Sequence, residues 1–369
     1  MKELQTLKQD LNQYRIVENQ FHCSGTKLKR GEILLRIERF AFTSNNVTYG
    51  VAGDTIGYWK FFPPHDDDSG KWGCLPVWGF AEVIESTNKG IYIGERVFGY
   101  FPPSGYLVLK PVKISLEKFF DGSKHRKDLP LVYNRYIRLS HQQNYDSSID
   151  NFRAILFPLH ITSFCLCDYI LYENNLESSQ IIIISASSKT AIGLAQGLAD
   201  DAISPKIIGV TSKENSRFVE SLGCYDEVIT YDSLDNVATS ITSIIIDMSG
   251  NRAVLGTLHS ALGNDMLQCL TVGMTHRDNG TKAEDYLGQM MLRERTDFFF
   301  APSHIEKRIS EWGLVGYHEK TDLFMTQRVL QSHEWMKVKE ISGLDEFGAI
   351  YLDICAGKIN PGEGIIVLI

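Results

Sequence analysis

The sequence predicts an α/β protein built on a doubly wound parallel sheet. Four consecutive isoleucines at 181–184 have the length and β-branching of a strand that is buried on both faces. Further short apolar segments follow, and they alternate with helical patterns, which is typical of a parallel sheet. These segments are K-I-I-G-V at 206–210, V-I-T-Y at 228–231, S-I-I-I-D-M-S at 243–249 and L-Q-C-L-T-V-G at 267–273.

The segment after the isoleucines is rich in small and hydroxylated residues. It reads S-A-S-S-K-T-A and leads into a helical pattern from Ile192 to Ala199. Strand, tight turn and helix form the opening of a βαβ nucleotide-binding unit, in which the first N–H groups of the helix face a phosphate. We therefore assign five residues to a phosphate site: Ala186, Ser187, Ser188, Lys189 and Thr190.

Other nucleotide and hydrolase chemistries fit the same stretch less well. S-S-K-T is similar to the G-K-[ST] ending of a triphosphate-binding loop, but Ile183 and Ser188 stand where that loop needs glycine. No G-x-S-x-G sequence is present for an esterase. Triphosphate and ester hydrolysis are both disfavoured.

Length and composition limit the classes of function. The 369 residues are enough for two domains, and a net charge of −8 argues against a general nucleic-acid binder. The N-terminus has no apolar leader, and no run approaches 18 apolar residues. Seven scattered cysteines suit reduced thiols in a cytoplasm. We expect a cytoplasmic protein with a small-molecule substrate and no nucleic-acid or membrane partner. Formation of a homodimer is an open alternative.

Two groups of metal-ligating residue types are weak candidates. Cys165 and Cys167, near His160, lack the C-x₂-C spacing of structural zinc and lie in an apolar helical pattern. The acidic residues 66–68 beside His65 lack the spacing of a calcium loop. No metal site is predicted.

Two further stretches allow both a structural and a functional interpretation. Y-W-K-F-F-P-P-H-D-D-D at 58–68 is either a surface loop with buried aromatic residues or one wall of a pocket for a planar substrate. The basic H-R-K at 125–127 is either a solvated surface or a site for an acidic substrate.

Residues 180–231 resemble the cofactor domain of the medium-chain dehydrogenase/reductase superfamily, in its zinc-free quinone and enoyl reductase branch. S-A-S-S-K-T-A occupies the position of the family's glycine-rich turn G-A-x-G-G-V-G. L-G-C-Y-D-E-V-I-T-Y resembles the family's L-G-A-x-x-V-I-x-Y. Here Ser185, Ser188, Lys189 and Ala191 replace the glycines of the turn. Two alternatives follow: a turn of altered composition that still binds the cofactor, or a sheet domain that has lost its cofactor.

The resemblance extends to the N-terminal part. G-E-I-L-L-R-I at 31–37, P-V-W-G-F-A-E-V at 76–83 and I-G-E-R-V-F-G at 93–99 are similar to blocks of the family's catalytic domain, while its zinc-binding triplet and four-cysteine lobe are missing. This implies a mostly-β, barrel-like (GroES-like) domain followed by a Rossmann domain. The predicted bounds are 1–150, with an insertion near 113–150, then 151–312, and 313–369 returning to the first domain.

The resemblance implies a zinc-independent, NADP(H)-dependent oxidoreductase that acts on a carbonyl, quinone or enone in an interdomain cleft. Asn46 and Tyr49 lie where the family has a cleft loop, and both can donate a hydrogen bond. A turn asparagine and a buried tyrosine are the structural alternatives. Thr162 and Gly273 are assigned to the cofactor site. The rival function is a non-catalytic or sensor-like binding protein on the same scaffold.

The residues after the second strand favour NADP(H) over NAD(H). An acidic residue there would bind the ribose 2′-hydroxyl, whereas this chain has Thr211, Ser212 and Lys213, which suit a 2′-phosphate. Tyr231 falls where zinc-free relatives bring an aromatic ring towards the adenosine. The alternative is that 211–213 only caps the next helix.

Overall fold

The computed structural model describes residues 2–18, 27–142, 145–173, 177–272 and 292–369. The chain divides into two compact units, Met1–Ile155 with Met336–Ile369, and Leu156–Trp335. The sequence placed the divisions after residues 150 and 312 instead. The second division falls later in the structure because a further helical segment, after a break at Gly313, extends to Trp335 within the second unit.

The second unit contains a six-stranded parallel sheet. Its strands lie in the order β13-β12-β11-β14-β15-β16, so that the first strand along the chain is central and the order reverses beside it. This is the strand order of a doubly wound dinucleotide-binding fold, and the predicted α/β class is confirmed. The strands are β11 Gln180–Ile184, β12 Lys206–Thr211, β13 Glu227–Thr230, β14 Ser243–Asp247, β15 Met266–Thr271 and β16 Thr296–Phe298.

Helices cover both faces of this sheet, which is why the middle residues of its central strands are apolar. Ile181 and Ile183 pack in one cluster with Leu194, while Ile182 and Ile184 pack in another with Leu258. All four isoleucines have no exposed surface. The helices of this part of the chain are α2 Asp150–Asp168, α3 Lys189–Ala199, α4 Ser216–Ser221, α5 Arg252–Leu262 and α6 Ala301–Trp335, which breaks at Gly313 (φ 71°).

One stretch, Ser147–Glu173, is long and apolar enough to cross a membrane by length and composition. Its most apolar window is 67% buried within the protein, however, as a core helix would be. The apolarity follows from burial, because the segment contains α2.

The first unit is mostly β, as predicted. A nine-stranded sheet has the order β17-β18-β3-β5-β6-β10-β9-β8, with β7 also paired to β3, and a smaller sheet has the order β2-β1-β4. Its strands are β1 Lys2–Leu7, β2 Asp10–Glu18, β3 Ile33–Phe42, β4 Trp72–Gly73, β5 Val77–Ser86, β6 Arg96–Phe101, β7 Tyr106–Leu109, β8 Pro111–Val112, β9 Lys118–Asp121, β10 Arg135–Arg138, β17 Lys337–Ser342 and β18 Glu363–Leu368. Its helices are α1 Ser44–Val51 and α7 Gly343–Cys355.

Two features of this unit tie distant parts of the chain together. The C-terminal strand β18 pairs antiparallel with β3. The segment predicted as an insertion supplies β9 and β10, and β10 pairs with β6, so this segment is an integral part of the sheet.

Candidate functional site

The carboxyl ends of β11 and β14 define the candidate cofactor site. The two strands are parallel neighbours at the centre of the sheet. From β11 the chain continues to β12 and towards one edge of the sheet, and from β14 it continues to β15 and towards the other edge. In open α/β sheets, ligands bind in the crevice at this point. The segments that leave the strands here begin at Ser185 and at Met248.

Ser185 takes the backbone conformation that glycine usually supplies in such a turn. Its φ is 65°, in the left-handed region where a side chain costs about 1–2 kcal/mol. The turn is closed by the Ser188 N–H, which donates to the Ser185 carbonyl over 2.8 Å. Ser185 therefore closes the turn in a left-handed conformation that glycine adopts without a steric cost.

Helix α3 begins at Lys189, directly after this turn. The Ser188 hydroxyl caps the helix by accepting the Ala191 N–H at 3.3 Å. Lys189 and Thr190 are the first helical residues and are half-buried. Helix N-termini carry N–H groups without an intrahelical partner and favour anions, so the arrangement suits a phosphate.

Side chains that the sequence analysis did not single out hold this turn in place. Tyr225 donates its hydroxyl to the Ala186 carbonyl over 2.8 Å, and Asn215 donates to the Ser187 hydroxyl over 3.2 Å. Gly209 leaves room for the tyrosine, since a Cβ there would lie 2.8 Å from the ring. Tyr225 could not have been identified because its neighbours lie 16 and 39 residues away in the chain.

The residues proposed for the 2′-phosphate differ in exposure. Thr211 ends β12 and is buried, Ser212 is half-buried, and Lys213 is exposed. Tyr231 is half-buried, and burial raises the pKa of its hydroxyl against the opposing effect of a hydrogen bond with Ser185. The structure thus brings Tyr231 to the turn, while Lys213 offers an accessible ammonium.

A polar loop at the end of β14 forms the other side of the crevice. Asp247 is fully buried, and its carboxylate accepts the Ser249 N–H at 2.9 Å, the Ser249 hydroxyl at 2.8 Å and the Gly250 N–H at 3.0 Å. Asn251 then caps α5. The sequence did contain a signal for this loop: the polar run D-M-S-G-N at 247–251, which begins at the last residue of a buried strand.

Thr162 lies in α2, where its hydroxyl donates to the Pro158 carbonyl at 3.4 Å. Its neighbour Ser163 donates to the Thr190 carbonyl at 2.7 Å, which links α2 to the start of α3. Gly273 lies outside the described residues.

In the first unit, Asn46 has structural partners for both ends of its amide. Its oxygen accepts the Thr43 N–H at 2.8 Å as part of a capping box, and its nitrogen donates to the Pro76 carbonyl at 2.7 Å. Both contacts are structural, but Asn46 lies in the first turn of helix α1 and caps it, so it is a helix-capping residue and not the expected turn asparagine.

Tyr49 belongs to a buried aromatic cluster with Tyr58, Tyr100, Tyr133 and Trp78. Its oxygen accepts the indole N–H of Trp78 at 3.4 Å. Burial raises the pKa of Tyr49 well above 10, and it raises that of Tyr58 to about 12. The hydroxyls therefore stay protonated at neutral pH.

The described residues contain one group of three potential metal ligands: Asp168, Glu173 and His304. An arginine side chain already lies among these three residues. Arg308 Nε lies 2.5 Å from the Asp168 oxygen that His304 also contacts at 2.7 Å. A second contact joins Arg308 to Glu173 at 3.2 Å. Arg308 and Lys307 are already paired with these carboxylates, so an ion-pair network within the second unit accounts for the group.

The fold is that of the medium-chain dehydrogenase/reductase superfamily. The chain is similar over its full length to CurA from Vibrio vulnificus in complex with NADPH (TM-score 0.65, 13% identity, 99% of that chain). It is also similar over its full length to a putative NADPH:quinone reductase from Bacillus thuringiensis (0.58, 15%, 98%) and to galactitol-1-phosphate dehydrogenase from Escherichia coli (0.54, 12%, 100%).

The chain belongs to the family described as "Protein of unknown function (DUF2855)", whose model matches residues 40–360. No curated protein matches the sequence.

The left-handed conformation of Ser185 gives a direct test of the turn. We expect Ser185→Gly to raise the free energy of unfolding by about 1 kcal/mol, because glycine adopts this φ without a steric cost. Ser187→Gly is the comparison variant: Ser187 does not have a positive φ, so glycine gains nothing there, and loss of the Asn215 hydrogen bond adds to the cost, for a total decrease of about 1–2 kcal/mol. Urea unfolding measures both variants, and equal destabilisation of the two would contradict the assigned turn.

Proposed function

We propose that this protein is a zinc-independent, NADP(H)-dependent oxidoreductase that transfers hydride to or from a carbonyl, quinone or enone. The observation that carries the proposal is the start of α3 at the carboxyl end of β11, at the point where the strand order reverses. Two proteins of similar fold are described with NADPH, one as a complex and one as a quinone reductase.

The residues at the turn fit a dinucleotide. Ser185 keeps the path of the missing glycine, Ser188 caps the helix, and the Lys189 ammonium adds a charge-assisted donor for a pyrophosphate. Lys213 would attract a 2′-phosphate, and its exposure leaves the ammonium accessible to it. When bound, the nicotinamide supplies the hydride chemistry.

A proton donor must accompany the hydride, and Tyr49 is the proposed group. Burial raises the pKa of Tyr49, so its hydroxyl is protonated at neutral pH and can donate a hydrogen bond to a substrate oxygen, while the same rise makes it a weaker acid than an exposed tyrosine. Hydrogen bonds from Trp78 and Asn45 to the tyrosine oxygen lower the pKa of Tyr49, against the larger effect of burial. They do so because they stabilise the phenolate that remains after proton transfer. Asn46 is not retained in this role because its amide is already engaged.

The proposed partner is a small-molecule substrate, and the proposed location is the cytoplasm. The six described cysteines are free thiols, which suits a reducing compartment.

One observation favours the second candidate, a binding protein without turnover. Tyr225 and Asn215 bond directly to the turn that would hold the pyrophosphate. If these contacts closed the site to a dinucleotide, the scaffold would serve another ligand. Nucleotide that co-purifies with the protein, identified by mass spectrometry, separates the two functions.

The cofactor assignment predicts NADPH binding that is tighter than NADH binding and depends on Lys213. We expect Lys213→Ala to weaken NADPH affinity about tenfold or more, since one charged hydrogen bond is worth roughly 1.5–3 kcal/mol, and to leave NADH affinity unchanged. Lys206→Ala is the control, because that lysine pairs with Glu227 instead. Calorimetric titration of the wild type and both variants with NADPH and NADH measures six affinities, and equal wild-type affinities for the two cofactors would refute the 2′-phosphate role.

The proton-donor assignment predicts that Tyr49→Phe retains NADPH binding and loses about 10²–10⁴-fold in turnover of a quinone or enone. Tyr133→Phe is the matched control in the same cluster, since it removes only the 2.8 Å bond to Tyr58. NADPH oxidation followed by absorbance measures turnover. Equal turnover in the wild type and Tyr49→Phe would remove Tyr49 from the reaction, while failure to bind NADPH at all would refute the cofactor site instead.

A further inference from the structure

The first unit contains a cavity of about 290 Å³, and all the residues that line it belong to that unit. Four segments that are distant in the sequence supply most of its wall: β1, residues 61–65, strand β7 and residues 121–126. The stretches 58–68 and 125–127, for which the sequence allowed two interpretations, thus meet in one place. The strand in this wall, β7, decides which polar groups a ligand would find there.

Strand β7 forms a ladder on one of its two edges. Among the described strands it pairs with β3 alone, in an antiparallel arrangement. The Ile37 N–H donates to the Gly105 carbonyl over 2.9 Å in the register of this ladder. Every second residue of an antiparallel strand bonds across the ladder, so Leu107 also bonds to β3. The backbone groups of Tyr106 and Val108 therefore point away from β3.

On this second edge, a partner strand accompanies β8 but ends before it reaches Val108. β8 pairs with β9, and the Gly122 N–H donates to the Lys110 carbonyl over 2.8 Å. Lys110 lies two residues beyond Val108, which is the spacing at which backbone groups point the same way. Opposite Val108, however, the chain turns into the short helical segment Lys124–Arg126. Val108 thus faces a gap, and Val108 and Ser123, on its two sides, both line the cavity.

The outward backbone groups of Tyr106 and Val108 differ in their contacts. The Ser104 hydroxyl accepts the Tyr106 N–H at 3.3 Å and donates to the Tyr106 carbonyl at 3.0 Å. No hydrogen bond reaches the N–H or C=O of Val108, which is half-buried, from the residues that the structure describes. An unpaired strand edge is a template for further backbone hydrogen bonds. One donor beside one acceptor is too short an edge for a peptide strand and suits a small molecule.

Much of the remaining wall is apolar and partly aromatic. Phe61, Phe62 and Tyr106 line the cavity together with Leu107. Ligand pockets typically begin near 300 Å³, so this one is sized for one ring or two fused rings. Flat aromatic surfaces of this kind favour a planar occupant.

The acidic side chains in the wall are already paired with basic ones. Glu3 is 1% exposed, and its Oε2 lies 2.7 Å from His65 Nδ1. This hydrogen bond raises the pKa of His65. Asp121 Oδ2 lies 3.3 Å from Arg126 Nη1, and both side chains are 1% exposed. The two pairs leave little net charge and no available carboxylate, which favours an uncharged ligand that bonds to the backbone.

We propose that this cavity binds an uncharged planar molecule that carries an N–H beside a C=O, a lactam or a primary carboxamide, and that pairs with the backbone of Val108. The ligand N–H donates to the Val108 carbonyl, and the ligand C=O accepts the Val108 N–H. These are the two bonds that a facing residue makes in an antiparallel pair. The site lies wholly within the first unit and does not rest on the proposed oxidoreductase function.

The isomers 2-quinolone and 4-quinolone test the proposal. They match in size and shape, but the N–H and C=O groups are adjacent in the first and on opposite sides of the ring in the second. We expect 2-quinolone to bind the wild-type protein about fivefold more tightly, because the second isomer makes one of the two hydrogen bonds and loses the other. 2-Quinolone-4-carboxylate should bind more weakly than 2-quinolone. Calorimetry and ligand-observed NMR measure the three affinities.

Two variants locate the site. Val108→Pro removes the N–H donor and spares the ladder with β3, because this N–H points away from it. The preference for 2-quinolone over 4-quinolone should disappear in this variant. Val108→Ala is the matched control, since it keeps both backbone groups and should keep the preference. If Val108→Pro does not fold, hydrogen exchange of the wild type decides, because 2-quinolone should slow exchange of the Val108 amide.

Five results would overturn the proposal. Two concern the ligands: no binding of 2-quinolone to the wild type or equal affinity for the two isomers, and tighter binding of the carboxylate than of 2-quinolone. Two concern the variants: an unchanged preference in Val108→Pro, and loss of the preference in Val108→Ala. The last is unaltered exchange of the Val108 amide at saturating 2-quinolone.

Discussion

The burial of β11 on both faces is the constraint on which the second unit depends. Its four isoleucines have no exposed surface, and parallel neighbours on each side satisfy its backbone. A strand held in this way fixes the position of the residue that follows it. Ser185 must then turn the chain sharply into α3, and the left-handed φ of this serine is the cost of keeping that geometry without glycine. The position of the α3 N-terminus is thus a consequence of sheet packing.

The replacement of glycine by serine changes how the turn is supported. A glycine-rich turn is shaped by its freedom from steric clash, whereas this one is braced by side chains. Tyr225 binds the Ala186 carbonyl, Asn215 binds Ser187, and Ser163 binds the Thr190 carbonyl at the start of α3. Such bracing pre-organises the backbone and restricts its approach to a ligand, so it is compatible with either a selective cofactor site or a closed one.

The elements that the sequence predicted correctly are those with strong local patterns. The isoleucine run of β11, the strand at Ser243–Asp247 and the capped helix after Ser188 each carry period, length and capping signals within a few residues. Features that depend on long-range pairing were missed. Residues 118–138 were interpreted as part of an insertion because their pairing with β6 has no local signature.

The contrast between local and long-range signals also explains which site residues were predicted and which were not. Lys189 and Ser188 follow one another in the chain, so a motif could place them together. Glu3, His65 and Asp121 meet in a cavity although more than 50 residues separate each from the next. Asn46 was chosen for its chemistry, but its environment engages both ends of the amide. Residue type therefore indicates what a side chain can do, and packing decides whether it is available.

Hydrogen exchange with and without NADPH tests the central claim, a dinucleotide at the carboxyl end of β11, most directly. Saturating NADPH should slow exchange at the amides of residues 186–191, where the helix N–H groups would bind phosphate, and near residues 211–213. The amides of α7 in the first unit serve as the reference and should exchange at an unchanged rate. Unaltered exchange at 186–191 in the presence of NADPH would contradict the account.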